Sequence, residues 1–288
     1  MVIVRLTGGL GNQMFQYATA KAVANTMGDC LKFDISFYPK QTLRKYELNK
    51  FNIENTIATH DEIIRLAGNE NIWFKVKRKL GLKIKRPKSY FLEREDAAYD
   101  AKIFNYTDNI YLDGYWADEK YFNGIRQELV REFILKDTIS NEAKNYLNYI
   151  KSLNSVALHV RRGDYVQNSY TNSVHGTCDL EYYQKAIQFI KEKVYNPTFY
   201  IFSDDIIWCK ENFNFLENKV FVDDTKNALE DLELMKNCKH NIIANSTFSW
   251  WGAWLNQNDD KIVVAPKRWF VSDKYSNFNL ALSDWKTL

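Results

Sequence analysis

The protein has 288 residues, of which 45% are hydrophobic, 15% aromatic and 26% charged. This composition excludes an intrinsically disordered chain, and the length is sufficient for two domains with hydrophobic cores of their own. The formal net charge is only +3 and no recognised nucleic-acid motif accompanies it, so we expect no nucleic-acid partner.

The four cysteines are scattered along the chain and form neither a CxxC pair nor a spacing with histidine that is typical of zinc sites. They predict reduced thiols, a cytoplasmic location and no metal site. The amino terminus, MVIVRLTGGLGNQ, lacks the pattern of a signal peptide. No apolar run reaches the roughly 18 residues of a membrane-spanning helix, so any membrane association is expected to be peripheral.

The first elements form a strand, turn, helix, strand pattern around the glycine-rich stretch GGLGNQMFQYA. Gly9, Gly11 and Met14 occupy the positions of a GxGxxG fingerprint, and Asp34 follows where a ribose-binding acid would lie. An NAD-type oxidoreductase is therefore an alternative, although methionine is too large for the third position. The glycines would also let backbone N–H groups approach an anion, with Asn12 capping the helix, or they could serve only a tight turn.

A basic segment follows at residues 75–88, KVKRKLGLKIKRPK, with eight basic residues and no acid. One interpretation is a solvated loop or helix face. The other is peripheral docking to an anionic membrane surface, to which Trp73 and Phe74 would add apolar contact.

The middle of the chain predicts helices. Apolar residues recur at three- and four-residue steps from Glu119 to Phe133, which is typical of an amphipathic helix. A polar linking helix is expected at 135–154. We place the boundary there and predict an acceptor-side α/β domain at 1–150, which includes segment 75–88, and a donor-binding domain at 151–288. The carboxyl-terminal tail is a candidate to pack back on the first domain.

In the second half of the chain, apolar strands alternate with helices. The predicted strands are SVALHV, TFYIFS, KVFVDD, NIIAN and KIVVAP. Continuous apolar strands separated by helices indicate a parallel sheet that is covered on both faces. Functional groups of such sheets gather where the strands end.

The strand SVALHV runs into Arg161, Arg162, Gly163 and Asp164. Two arginines at a strand end suggest an anion site, because guanidinium donors fit phosphate oxygens. Side chains alternate along a strand, so one arginine is expected to grip the ligand while the other pairs with Asp164. A purely structural ion-pair network around Gly163 is the alternative.

Two further strand ends carry polar groups. NSTFSWWGAW offers hydroxyls and N–H groups at a helix start, and its tryptophans, Trp250, Trp251 and Trp254, are expected in the core. FSDD offers carboxylates that could bind ribose or guanine, or could cap the next helix. The chain contains no D-x-D motif, so a nucleotide-sugar enzyme of this sequence would neutralise its leaving diphosphate with protein donors.

Taken together, six ordered motifs resemble the α-1,2-fucosyltransferase family across nearly the whole chain: GGLGNQMFQYA, GYW with EKYF, HVRRGDY, EYYQKAI, FSDD and NSTFSWWGAWL. The resemblance implies a GT-B fold, with two Rossmann-like α/β domains facing across a cleft. It also implies inverting, metal-independent transfer of L-fucose from GDP-fucose to the 2-hydroxyl of a terminal β-galactoside, with no further cofactor. A lipid-linked surface polysaccharide, such as an O-antigen lipopolysaccharide, is the expected acceptor. A non-catalytic glycan-binding module is a further alternative.

The resemblance also implies residue roles. The donor and catalytic loop would comprise His159, Arg161, Arg162 and Asp164, with an arginine on the β-phosphate. The diphosphate would be held by Asn245, Ser246, Thr247 and Ser249, and ribose or guanine by Asp204 and Asp231. The same phosphate and the acceptor would be faced by Gly9, Gly11, Asn12 and Gln13.

Two points stay open at this level. The general base has two candidates, Asp164 and His175. The family pattern commonly continues GYW with a Gln-Ser pair, whereas this chain has Ala117 and Asp118, which points to altered acceptor contacts.

Overall fold

The computed structural model describes residues 1–69, 79, 80, 82, 85–275 and 278–288. They form two compact units, Met1–Lys136 and Asp137–Leu288. Half of the basic segment 75–88 lies outside the described residues, so its proposed membrane contact stays a prediction. In the part of the chain that the structure covers, no helix is long and apolar enough to cross a membrane.

The first unit is built on a four-stranded parallel sheet in the order β2-β1-β4-β3. The central pair, β1 and β4, is the most buried, and β1 runs between β2 and β4 with Val4 opposite Phe33 and Leu112. The four strands are β1 (Val2–Arg5), β2 (Leu31–Asp34), β3 (Tyr90–Leu92) and β4 (Ile110–Asp113).

Helices and turns surround this sheet. The longest helix, Leu10–Met27, is rich in small residues and buried over most of its length, and it ends where Gly28 adopts a left-handed φ of 62°. The other α-helices described in this unit are His60–Ala67 and Arg126–Glu132. Short 3-10 turns cover Tyr38–Lys40, Leu48–Lys50, Ala101–Asn105, Glu119–Tyr121 and Asn123–Ile125.

The single helix predicted over 119–133 is wrong. Asp118 caps a 3-10 turn, a second turn includes Gly124, and the α-helix begins only at Arg126. Glycine inside the pattern weakens a continuous helix. The apolar side chains of Phe122, Leu129 and Phe133 are nevertheless buried, as the spacing predicts.

The second unit contains a six-stranded parallel sheet in the order β10-β9-β8-β5-β6-β7. All six residues of the central strand β5 are buried, which explains its continuous apolar sequence. The strands are β5 (Ser155–Val160), β6 (Thr198–Ser203), β7 (Lys219–Phe221), β8 (His240–Ile242), β9 (Val263–Ala265) and β10 (Lys286–Thr287).

Helices alternate with these strands. They are Asn141–Ser152, Gly163–Gln167, Ser169–His175, Leu180–Lys193, Ile206–Asn212, Ala228–Asn237 and Thr247–Trp254, with a 3-10 turn at Asp273–Tyr275. The expectation that Trp250, Trp251 and Trp254 belong to the core is confirmed, because all three are fully buried.

The predicted boundary at residue 150 falls inside the helix Asn141–Ser152. This helix belongs to the second unit, where it packs against the helix Ala228–Asn237 and against β5. Its capping residue Ser140 donates from its backbone N–H and from its hydroxyl to the Glu230 carboxylate, at 2.7 and 2.9 Å. At the other end of the unit, β10 pairs with β9, so the last residues extend the second sheet.

Candidate active site at the carboxyl edge of the second sheet

The HVRRGD and FSDD motifs lie side by side because β5 and β6 are parallel neighbours, with Val160 opposite Ser203. The chain leaves both strands at the same edge of the sheet. Arg161 and Arg162 therefore meet Asp204 and Asp205, although about forty residues separate the two motifs.

Each arginine has its own carboxylate. The Nη1 atom of Arg161 is 2.8 Å from Oδ2 of Asp204, and Nε of Arg162 is 3.1 Å from Oδ2 of Asp205. The backbone N–H of Arg162 also donates to Oδ1 of Asp204 at 2.9 Å. Both described carboxylate partners therefore come from the end of the next strand, and the expected pairing of an arginine with Asp164 stays a prediction, because that side chain lies outside the described residues.

Aromatic rings fix the guanidinium planes. The Arg162 guanidinium lies 4.1 Å from the centre of the Trp208 ring, and that of Arg161 lies 5.2 Å from the centre of the Tyr165 ring. Such contacts hold a cation in place without neutralising it. Each arginine side chain keeps 20% of its surface exposed, so both remain reachable by a ligand.

Gly163 lets the loop approach the aspartates closely. A Cβ atom at this position would lie 2.3 Å from Oδ2 of Asp204, which no side chain could tolerate without displacing the carboxylate. The following residue, Asp164, lies in the helix Gly163–Gln167, and its side chain lies outside what the structure describes.

His159 lies near the end of β5, two residues before Arg161, with 4% of its surface exposed. Burial lowers its pKa to about 4, with Asp204 opposing and Arg161 reinforcing the shift. The imidazole is therefore neutral at pH 7. Its Nδ1 atom has no hydrogen-bond partner among the described residues. An unpaired buried nitrogen is unusual and is often explained by a ligand or water that completes the site.

The NSTFS motif borders the other side of β5, since β8 is its second neighbour. Ser246 caps the helix Thr247–Trp254 by accepting from the N–H of Phe248, and the first turn contains no acid. The positive end of this helix consequently lies at the same edge as the arginines, where an anion is favoured.

Two side chains of the predicted phosphate cradle have internal partners. Asn245 is buried and donates to the carbonyl oxygens of His175, Gly176 and Trp269, at 3.0, 3.3 and 3.3 Å. The Ser249 hydroxyl donates to the Ser246 carbonyl at 3.2 Å. These bonds give both residues a structural role, while Ser246 and Thr247 stand at the helix start.

His175 is held in a row of rings. It stacks on Tyr165 with 4.7 Å between ring centres and contacts Phe270 at 4.9 Å. The motif residues on β5 and β8 and His175 are thus brought together within this unit.

Asp231 lies in the first turn of the helix Ala228–Asn237, which follows β7 at the same sheet edge. Its carboxylate accepts from the Thr225 hydroxyl at 2.7 Å. Burial raises the pKa of Asp231 to about 6, the Thr225 bond opposes this, and the neighbouring Glu230 adds to it. At neutral pH this carboxylate is ionised although burial disfavours its charge, which makes it a candidate ligand contact.

The glycine loop of the first unit is rigidly built. Gln13 is fully buried, donates to the carbonyls of Gly8 and Lys45, and accepts from the N–H of Glu47. Its side chain therefore braces the loop, and Gly8 takes a left-handed φ of 77°. Gly9 is the N-cap of the helix Leu10–Met27 and makes no side-chain cap bond, whereas Gly11 and Asn12 lie inside its first turn. The expectation that Asn12 caps this helix is therefore wrong, because the helix begins before it.

Asp34 does not have the setting of a ribose-binding acid. It is 3% exposed and accepts from the Tyr111 hydroxyl at 2.5 Å and from the N–H of Ser36 at 2.9 Å. Met14 is fully buried at the third fingerprint position. Both observations disfavour the dinucleotide-binding interpretation.

Among the described residues, no group of three or more His, Cys, Asp or Glu side chains is arranged to hold a metal ion. Sequence reasoning missed Trp208 and Tyr165, the two rings beneath the arginines. Trp208 follows FSDD by three residues, on the first turn of a helix, and Tyr165 ends HVRRGDY. That proximity to charged motifs was the available signal.

Comparison with known proteins extends these observations. An alpha-1,2-colitosyltransferase of Escherichia coli is 38% identical over 99% of this chain and 98% of its own length. The O-antigen biosynthesis glycosyltransferase WbnK of Escherichia coli is 32% identical over 98% and 99%. Galactoside alpha-(1,2)-fucosyltransferase 2 of Gorilla gorilla gorilla is 30% identical over 90% and 70%.

A solved structure of POFUT1 in complex with GDP-fucose shares the fold, with a TM-score of 0.52 and 11% identity over 90% of this chain and 96% of that one. The predicted fold class, α/β of the GT-B type with two Rossmann-like domains, is confirmed. The model of glycosyl transferase family 11 matches residues 1–288. The chain therefore belongs to glycosyl transferase family 11.

Proposed function

We propose that this chain is an inverting α-1,2-fucosyltransferase, which moves L-fucose from GDP-fucose to the 2-hydroxyl of a terminal β-galactoside. The observation that carries the proposal is the pair Arg161 and Arg162 at the end of β5, with the start of the helix Thr247–Trp254 beside it. Family membership and the relatives at 38% and 30% identity support the reaction class.

The chemistry is a single displacement. The acceptor hydroxyl attacks the anomeric carbon of the β-linked sugar from the opposite face, the bond to the β-phosphate oxygen breaks, and an α-linkage forms. Negative charge grows on that oxygen. Hydrogen bonds from fixed donors to this oxygen become stronger in the transition state. In comparable sites each such donor stabilises the transition state by about 3 kcal/mol.

We assign the β-phosphate contact to Arg161. Arg162 is bound on three sides, by Asp205, by the Trp208 ring and, through its N–H, by Asp204. Asp205 is itself the cap of the helix Ile206–Asn212. Moving Arg162 would therefore disturb a helix cap, and Arg161, whose carboxylate partner Asp204 precedes that cap, is our choice for the phosphate contact.

The remaining contacts to GDP-fucose are proposed for residues at the same edge of the sheet. His159 and Asp231 are proposed for guanine, since one offers a neutral imidazole and the other a carboxylate that can accept from guanine N–H groups. Asp204 is occupied by Arg161 and is proposed to orient it. Ser246 and Thr247 are proposed to hold phosphate oxygens at the helix start.

The proton of the acceptor hydroxyl needs a base. Asp164 and His175 stay the proposals, and His175 contacts the rings of Tyr165 and Phe270. Substitutions Asp164→Asn and His175→Gln, compared in their pH–rate profiles, identify which one removes the acidic limb.

A second donor is favoured by one observation. The 38% identical relative is a colitosyltransferase, and colitose is L-fucose without the 3-hydroxyl. GDP-colitose would present the same diphosphate and the same leaving group. The two donors are therefore separated only by contacts to one hydroxyl of the sugar.

The deciding experiment incubates the protein with GDP-fucose or GDP-colitose and a panel of β-galactosides, in EDTA, followed by determination of the product linkage by NMR. We expect an α-1,2-linked product, and full activity in EDTA supports metal independence. Stabilisation by NAD instead of GDP would favour the oxidoreductase, and galactoside binding without any transfer would favour the glycan-binding module.

For the acceptor we propose only a class of glycan. The similarity to an O-antigen biosynthesis glycosyltransferase favours a bacterial surface glycan, built on a lipid carrier. Cytoplasmic location and contact of segment 75–88 with an anionic membrane remain predictions.

A further inference from the structure

The loop Gly114–Trp116 follows β4 at the carboxyl edge of the first sheet. Because β4 and β1 are parallel neighbours, this loop leaves the sheet at the same edge as the glycine loop. The two are connected through Gln16, which donates to the Gly114 carbonyl at 2.9 Å and pairs with Thr7 beside the glycines.

The loop has an unusually constrained backbone. Trp116 is fully buried yet adopts a left-handed φ of 57°, a conformation that a large side chain rarely takes. Its indole N–H has no hydrogen-bond partner among the described residues. Strain of this kind in a non-glycine residue persists only where the surrounding structure enforces it, and it concentrates at functional sites.

One carboxylate enforces this conformation. Glu93, directly after β3, accepts from the N–H of Tyr115 through Oε2 and from the N–H of Trp116 through Oε1, both at 2.7 Å. Gly114 makes room for it, since a Cβ there would lie 2.3 Å from the Cβ of Glu93. Burial raises the pKa of Glu93, the two N–H bonds oppose this, and Asp113 reinforces it.

The outcome of this construction is an exposed ring. Tyr115, between the fixed Gly114 and the buried Trp116, keeps 51% of its surface exposed. The buried Trp116 accounts for one of the two bonds to Glu93, whereas the exposed Tyr115 side chain contributes little to the core, although its own N–H is held as closely. A half-exposed tyrosine ring on a backbone that is held in place is suited to packing against a ligand with one apolar face.

We propose that Tyr115 is a stacking platform for the galactose ring of the acceptor, and that Glu93 is the positioning residue that holds this platform. One face of a β-galactose ring carries C–H groups and no axial hydroxyl, so it is the chemical match for a tyrosine ring. The inference rests on the proposed function and assigns a named subsite to its acceptor.

The test compares Tyr115→Ala, Tyr115→Phe and Glu93→Gln in transfer to lactose and in NMR titration with lactose in the presence of GDP. Tyr115→Ala is expected to raise the acceptor KM and the lactose Kd about tenfold, with kcat and the GDP-fucose KM within about twofold. Tyr115→Phe keeps the ring and is expected to stay within about twofold of the unaltered protein. The matched control is Tyr195→Ala, since Tyr195 is 88% exposed in the loop before β6.

Glu93→Gln keeps one oxygen for two N–H groups, so it is expected to raise the acceptor KM in the same direction. Because Glu93 acts through Tyr115, adding Glu93→Gln to Tyr115→Ala should raise it no further. Should Glu93→Gln fail to fold, the comparison of Tyr115→Ala with Tyr115→Phe decides the platform alone.

Lactose binding that is equal in Tyr115→Ala and the unaltered protein overturns the inference. A Glu93→Gln variant with a lower kcat and an unchanged acceptor KM overturns the positioning role. If the unaltered protein transfers no sugar from either GDP donor, the proposed function fails, while the NMR titration still decides whether Tyr115 binds galactose.

Discussion

Replacing Asp231 by asparagine is expected to stabilise the second unit at neutral pH and to do so less as the pH falls. Burial raises the pKa of this carboxyl group from its ordinary value of 3.8 to about 6. At pH 7.5 the group is ionised in the folded and the unfolded chain, so the folded state carries the whole cost of burying the charge. Below 3.8 both states are protonated and the cost disappears.

The size of the effect follows from that shift. At about 1.4 kcal/mol for each pH unit, a rise from 3.8 to about 6 makes ionised Asp231 destabilising by up to about 3 kcal/mol. Asparagine is neutral at every pH and can still accept from the Thr225 hydroxyl. The gain should be greatest at pH 7.5 and about half as large at pH 5.

Urea unfolding followed by tryptophan fluorescence measures this, because six of the eight tryptophans lie within residues 137–288. Glu230→Gln is the matched control, one residue away. Burial alone would raise the pKa of Glu230, but hydrogen bonds from the N–H of Lys226 and from the N–H and hydroxyl of Ser140 outweigh it and lower the pKa. Its removal should therefore destabilise at pH 7.5, by about 1–3 kcal/mol.

The reasoning is refuted if Asp231→Asn destabilises at pH 7.5, or if its gain is the same at both pH values. The proposed contact between Asp231 and guanine gives a second, independent prediction for this variant. The same variant should lose most of the stabilisation that GDP gives to the unaltered protein, because an amide cannot accept from two guanine N–H groups through two oxygens.

Three further outcomes test the arginine edge. Arg161→Ala should lower kcat by about a hundredfold with saturating GDP-fucose, and a loss confined to KM would contradict its role in the transition state. Gly163→Ala should displace the Asp204 carboxylate and lower kcat at least about tenfold while thermal stability changes little, whereas unchanged turnover would show that the Arg161 pair is dispensable. Ser246→Ala removes the cap bond to the N–H of Phe248 and should reduce the free energy of unfolding by about 1 kcal/mol, which thermal denaturation detects.

The parallel sheets could be predicted because their central strands are buried and the sequences of these strands are largely apolar. SVALHV and TFYIFS became β5 and β6 with the register of a central pair. The edge strands β3 and β10 were missed. They contain only three and two residues, and such short strands depend on a neighbour for their definition.

The location of the site at the strand ends was likewise predictable, but its internal pairing was not. Arg161 and Arg162 find Asp204 and Asp205 because β6 lies next to β5, and strand order is set by the packing of the whole sheet. Proximity along the chain favoured Asp164, whose side chain lies outside the described residues, and gave no indication of Asp204 or Asp205. The constrained conformation of Trp116 also has no local signal, since glycine or asparagine would have been expected at a positive φ.

The matched arginines and aspartates determine how a donor nucleotide is captured. Each positive charge has a negative charge about 3 Å away, and His159 adds none, so the field of these four groups cancels within a Debye length, about 8 Å at physiological salt. They therefore exert little long-range attraction on an anion. The contribution of these four groups to nucleotide association is expected to be small and nearly independent of ionic strength. Their selectivity arises after encounter, when a diphosphate competes with aspartate for guanidinium donors at contact distance.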